Sequence, residues 1–210
     1  QVWPGHGAGS ACGKALGAVP QTTVGYERRF NPALRSANNE AAFTESMLSG
    51  QPEPPMYFAR MKQQNRKGPR VLGGLPRPAR LTRTQFATLD GHEVAIVDTR
   101  PWKVFKAGHI PGSLFAPVDS MFPMVVGSFV EEQEQIYLVV EASRLDELVR
   151  DLIRIGLDNI AGWMDSMEFD TTGAGSGTLS TCNEVGVEDA RRLMEVESAF
   201  VLDVRRATEY

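Results

Sequence analysis

The stretch "IYLVVEASRLDELVR", residues 136–150, reads as a buried strand, a short turn and an amphipathic helix, and its turn opens with Glu141. A strand that delivers a turn onto a helix N-terminus is a common way to present a reactive group. A carboxylate is a favourable charge there, worth roughly 0.3–1 kcal/mol. Asp98 and Arg100 leave the end of another apolar run, "EVAIVDTR", where buried charges must find partners. Just beyond, "GHIPG" holds His109 between Gly108 and Gly112, which permit a tight turn. Buried acid–base pairs and loop histidines of this kind usually hold backbone in place. His6 stands in a glycine-rich opening, "QVWPGHGAGSACG". Imidazole is a good metal ligand, but one imidazole does not hold a catalytic metal with useful affinity. Cys12, close to His6, reads as a small packed residue. Cys12 and Cys182 lie far apart with no C-x-x-C partner, so neither a disulfide framework nor a zinc knuckle is indicated.

The elements that position these groups follow from pattern. The sequence turns helical from Asn31, with helices expected over 40–48 and 57–64, the second after "PEPP". "NRKGPRVLGGLPRPARLT" has no period and reads as a linker, with a domain boundary within 66–80. An alternating α/β block follows. "TRTQFATL" is a short helix capped by Thr82 or Thr84; "EVAIVDTR" and "QIYLVVE" are strands buried on both faces; "FKAGHIPGS" is a loop; "NIAGW" is a third strand. Leu145, Leu148, Val149, Leu152 and Ile153 form one helical stripe, with Ser143 and Asp146 fitting a capping box and Gly156 suiting the position past the end. "TTGAGSGTLST" is a second, flexible linker.

Residues 81–105 and 185–210 share one plan, a helix and then an apolar strand ending in Asp-x-Arg. Asp203 and Arg205 repeat Asp98 and Arg100. The second copy is too short to bury a core of its own. The expected organisation is 1–65, a linker at 66–80, a domain at 81–170, a linker at 171–181 and an opening segment at 182–210.

Composition narrows the classes. The chain has 210 residues, 42% of them hydrophobic and 23% charged, with a net charge of −4, so nothing draws it globally to nucleic acid or anionic membrane. No apolar run of about 18 residues exists to span a bilayer, and the start is not a signal peptide. A cytoplasmic location is the default reading. Both ends read as cut, so an excerpt of a longer protein is expected. The basic run from Arg60 to Arg83 reads as a solvated linker in preference to a nucleic-acid stripe, with contact to the phosphates of a thiol cofactor as a further option. Trp3, Trp102 and Trp163 read as core or interface aromatics.

"VDTRPWKVFKAGHIPGS" resembles the signature of the rhodanese family, and the resemblance runs from Leu81 to about Trp163. It implies a central parallel sheet flanked by helices. Sulfur transfer in that family uses a cysteine thiolate at the position held here by Glu141, and the following loop is shorter than the family's usual one. A carboxylate cannot carry a persulfide, so the resemblance implies a rhodanese-like domain without sulfurtransferase activity, with docking of a neighbouring domain or an anionic thiol cofactor as a runner-up role. Residues 1–65 resemble the C-terminal end of metallo-β-lactamase-fold (αββα) proteins, in the branch fused to rhodanese domains. That branch contains persulfide dioxygenases and glyoxalase-II-like thioesterases. The resemblance implies iron (Fe2+) or zinc in the parent protein, with His6 as a ligand or close neighbour. It also implies a low-molecular-weight thiol persulfide or thioester as substrate. The HxHxDH ligand cluster of such proteins is absent from this sequence, so the chain alone is expected to be inactive and not to retain the metal. A zinc thioester hydrolase and a non-enzymatic interaction module are the other readings. No nucleic-acid or membrane partner is expected, and a homo-oligomer stays open.

Overall fold

The computed structural model describes residues 1–3, 21–50, 54–169, 179–196 and 199–204. The chain divides into two compact units, Gln1–Pro54 and Pro55–Tyr210. The first holds helix α1 (Val24–Phe30), a 3-10 turn (Pro32–Ser36) and helix α2 (Glu40–Leu48). Side-chain oxygens start each of them: Thr23 accepts from the Tyr26 amide at 3.2 Å, Asn31 from Ala33 at 2.9 Å and Asn39 from Ala42 at 3.1 Å. No residue of α1 or α2 is buried, and Val24, Tyr26, Phe30 and Leu48 stand exposed. Capping rather than a core organises these described residues. Helix begins earlier than the sequence pattern places it, because α1 precedes Asn31 and has no apolar stripe to announce it.

The second unit is an α/β domain, as expected. Helix α3 (Tyr57–Lys67) leads to strand β1 (Ala79–Arg80), helix α4 (Arg83–Phe86) and strand β2 (Ala95–Asp98). Helix α5 (Trp102–Ala107), strand β3 (Leu114–Phe115) and helix α6 (Phe122–Phe129) follow. Strand β4 (Ile136–Val140), helix α7 (Leu145–Arg154), strand β5 (Ile160–Asp165) and helix α8 (Val187–Val196) complete it. The five strands form one sheet in the order β1-β5-β4-β2-β3, and every pair is parallel. Alternate residues face opposite sides. Val97, Leu138 and Val140 join Phe122, Val126, Leu148 and Leu152 in one apolar cluster. Ile96, Val139 and Met164 join Phe86 of α4 in the other. Both faces are thus covered, which is why β2 and β4 read as unbroken apolar runs.

Local chemistry fixes the helix ends. Thr82 starts α4 in a capping box with Gln85. At the end of α7, Gly156 (φ 76°) lets the chain fold back, with Gly156 N–H on the Ile153 carbonyl at 3.1 Å and Leu157 N–H on Leu152 at 3.0 Å. Ser143 does not cap α7. It lies in a 3-10 turn (Ala142–Arg144), and the helix starts behind Arg144 without a side-chain cap.

The boundary between the units falls at Pro54–Pro55, earlier than the linker that composition places at 66–80. Tyr57 and Met61, one helical turn apart on α3, pack against the larger cluster. Arg60 donates to the Ile155 carbonyl at 3.1 and 3.2 Å, Arg70 pairs with Asp158 at 3.9 Å and Arg80 with Glu168 at 2.8 Å. The basic stretch is therefore partly anchored to the domain rather than wholly solvated. Trp163 is buried, Trp102 half-exposed and Trp3 largely exposed. In the second copy of the helix–strand plan the helix forms, while the described residues 199–204 are exposed and are not in a β-strand. Arg205 and residues 171–178 of the expected linker lie outside the described residues. Among the described residues no helix is long and apolar enough to cross a membrane.

The docking of α3 is testable at Gly127 of α6. A Cβ there would run into the Tyr57 ring (2.9 Å from Cγ) and stand 3.0 Å from Ile155 Cδ1. Gly127→Ala is expected to lower stability by about 1–3 kcal/mol in urea unfolding, through overpacking, although alanine is the better helix former.

Candidate functional site at the carboxyl edge of the sheet

In open parallel sheets ligands bind beyond the carboxyl ends of the strands. Here that edge carries Asp98 at the end of β2 with Arg100 just after it, Glu141 after β4 and Asp165 at the end of β5.

Asp98 and Arg100 are both buried, their side chains 1% and 2% exposed. One carboxylate oxygen accepts from the Arg100 main-chain N–H at 3.0 Å and from its Nε at 3.0 Å, and the other accepts from Nη2 at 2.6 Å. Nη2 also donates to the Gly108 carbonyl at 2.8 Å, while the Phe169 ring lies across the guanidinium at 3.7 Å. Between the two residues, Thr99 Oγ1 donates to the Val139 carbonyl at 2.8 Å. The carboxylate is spent on its own arginine and turn, so it has no free face to offer a substrate.

His109 is buried just past the C-terminal end of α5. Its ring stacks on Phe105, with centroids 4.1 Å apart and planes 9° from parallel, and its Nδ1 stands 2.9 Å from the Phe105 carbonyl. Main-chain hydrogen bonds in both directions pair it with Ser180. Gly112 (φ 77°) lies so close to Gly91 that a Cβ would stand 2.7 Å from its carbonyl carbon and oxygen, so the close approach and the positive φ both call for glycine. Arg100, Gly108 and His109 are therefore brought together, as backbone anchors.

Glu141 follows β4 directly, in extended conformation, and is exposed. The chain turns at once into the three residues Ala142–Arg144 and then into α7. The Arg144 amide donates back to the Glu141 carbonyl at 2.9 Å, and the Glu141 side chain does not cap the turn. Arg144 instead grips Glu147, with Nη2 to Oε1 at 2.9 Å. That hydrogen bond raises the guanidinium above its ordinary pKa, the charges of Glu147 and Glu141 adding to it, and holds the Glu147 carboxyl below its own. The turn presents charge to solvent and holds no cysteine.

His6 and Cys12 lie outside the described residues. Among the described residues no group of three or more His, Cys, Asp or Glu side chains could hold a metal ion, and the Nδ1 and ring face of His109 are taken up by Phe105. These residues do not make a metal site. Sequence reasoning missed one feature at α5: Trp102 Nε1 and Lys106 Nζ both donate to the Glu184 carboxylate, at 2.6 and 2.7 Å. Residues this far apart, with no shared periodicity, leave no local signal.

Removing one member of a buried pair strands the other's charge. Arg100→Met is expected to cost about 3–5 kcal/mol in denaturant unfolding, and Arg100→Lys to recover only part of it, since an ammonium cannot reproduce the fork onto Asp98 and Gly108.

No protein-family model matches the chain, and no curated protein does. Among solved structures, a metallo-β-lactamase from Staphylococcus aureus subsp. aureus COL aligns with 78% of this chain at 36% identity and a TM-score of 0.59. The chain spans 44% of that protein's length. A complex of EanB with hercynine aligns with 43% of the chain and 25% of its own length, at 16% identity and a TM-score of 0.36, a likeness too slight to carry an argument. The first unit is only about a quarter of the chain. A match over 78% must therefore include most of the α/β unit, so the Staphylococcus aureus protein shares this α/β unit too.

Proposed function

We propose that the chain is part of a metal-dependent enzyme of the metallo-β-lactamase fold that oxidises a low-molecular-weight thiol persulfide, and that its α/β unit is a rhodanese-like domain without sulfur-transfer activity of its own. The observation that carries the second half is the Glu141 turn. A sulfur-carrying thiolate needs several main-chain N–H groups converging on one atom. Here a three-residue turn separates strand from helix, and one of its amides is already spent on the Glu141 carbonyl. The first half rests on the similarity to a metallo-β-lactamase, which takes in most of the α/β unit along with the rest of the match. Iron or zinc would be held by residues other than those described above, with His6 the nearest candidate in this sequence, and would supply Lewis-acid or oxygen chemistry when bound.

The likeness to a metallo-β-lactamase is equally compatible with a second reading, a metal-dependent hydrolase, for which we take a zinc enzyme acting on a thioester. The two separate cleanly on the full-length natural protein loaded with iron or with zinc. Sulfite formed from glutathione persulfide with consumption of oxygen supports the first, and thiol release from a glutathione thioester without oxygen uptake supports the second.

For the α/β unit, the 210-residue chain is expected to show no thiosulfate:cyanide sulfurtransferase turnover. Glu141→Cys is expected not to create it, because a thiol on so short a turn lacks the amide cradle. Thiocyanate production by the unsubstituted chain would overturn the assignment.

A further inference from the structure

Residues 180–184 run antiparallel along α5 and the His109 turn that follows it. Ser180 exchanges two main-chain hydrogen bonds with His109, at 3.0 and 2.9 Å, and the Cys182 amide donates to the Lys106 carbonyl at 2.9 Å. Ser180 and Cys182 are half-buried while Thr181 and Asn183 are exposed, the alternation of an extended segment lying on a surface. Glu184 then closes on α5, taking Trp102 Nε1 on one oxygen and Lys106 Nζ on the other. The indole N–H is already aimed, because the Trp102 ring is fixed against Phe105 and Phe115, with centroids 5.9 and 5.2 Å away. Helix α8 starts at Val187, directly after this anchor.

We propose that residues 180–184 are a detachable strap, clamped along α5 by main-chain pairing with Lys106 and His109 and locked by the Glu184 carboxylate, whose attachment sets where α8 begins. This stands apart from the proposed activity. The strap is one segment held along a single helix by few bonds, and its lock is exposed to solvent (Glu184 side chain 59%, Lys106 28%). Segments of this kind open locally well below the free energy of global unfolding.

The groups facing Glu184 are the Lys106 ammonium and the Trp102 indole N–H, both on α5. Their hydrogen bonds, the Lys106 bond first, hold its carboxyl below the ordinary value. A carboxyl depressed in the attached state stabilises attachment above its free value. That contribution is lost as pH falls through the attached value.

Cys182 reports on the strap directly, since Cys12 is the only other cysteine and Cys12→Ser removes its signal. In that background, Glu184→Gln and Lys106→Met are each expected to speed thiol labelling of Cys182 severalfold, as suits an exposed pair with a modest share of the attachment. The urea midpoint of the α/β unit should not move. The reciprocal exchange, Lys106→Glu with Glu184→Lys, is expected to slow labelling again relative to either single charge reversal. Hydrogen exchange of the Ser180 and Cys182 amides, corrected for intrinsic rates, should lose protection between about pH 6 and about pH 3.5 in the parent and much less in Glu184→Gln. Labelling as slow in Glu184→Gln as in the parent, failure of the exchanged pair to slow labelling, or pH dependence identical in both proteins would overturn the proposal.

Discussion

Two opposite charges placed in a dry interior are costly unless every donor and acceptor is met, and the Asp98–Arg100 pair imposes that demand on the α/β unit. Meeting it fixes the main-chain turn after β2 through the Arg100 amide. It also draws the end of α5 inward through the Gly108 carbonyl and brings Phe169, beyond β5, across the guanidinium. The end of β2, the end of the neighbouring α5 and the distant segment after β5 are thereby set against one another. Arg100 Nη1 remains buried with no hydrogen-bond partner. The pair is thus better understood as fixing arrangement than as adding net stability, for a well-packed apolar substitute would avoid that desolvation.

What the anchored edge then presents is decided by the length of the β4–α7 connection. A long loop between a strand end and a helix can curl so that successive amides point at one atom. A 3-10 turn of three residues cannot, because its hydrogen bonding runs along the turn, as the Arg144 amide does to the Glu141 carbonyl. The charges beyond it are turned sideways into an Arg144–Glu147 pair on the surface. Strand, turn and helix keep the layout of a site that presents a nucleophile, while loop length and residue type together remove its means of activation.

The parts of this arrangement legible in the sequence are those set by near neighbours. Thr82 with Gln85, the α7 stripe with Gly156 after it, and the continuous apolar runs of β2 and β4 each encode their conformation within a few residues. Ser143 shows the limit even there: a box-like spacing offered a cap, but the tight 3-10 turn moved the helix start past it. The misses were elements defined by what they touch. Strand β1 is two residues inside a Gly- and Pro-rich stretch, visible only because Ala79 and Arg80 align with Gly162 and Trp163. Helices α5 and α6 lie in segments without a clean period, and α3 joins the α/β unit through Tyr57 and Met61, whose partners are distant in sequence. The Trp102–Lys106–Glu184 contact spans about eighty residues and had no local sign at all.

The internal repeat makes the same point from the other direction. "AIVD" and "FVLD" have one pattern and each ends in Asp-x-Arg, yet only the first is a strand. Residues 95–98 are flanked by β3 on one side and β4 on the other, so their amides and carbonyls find partners and both faces find a core. Among the described residues no strand pairs with 199–204, and Phe200, Val201, Leu202 and Val204 face solvent. A β-strand is a property of a pairing rather than of a segment, because half of its hydrogen bonds belong to its neighbours. An Asp-x-Arg motif becomes a buried anchor only where such a sheet already exists to bury it. Residues 95–98 and 200–203 therefore differ in structure while matching in pattern, and what the first has beside it is a pair of strands.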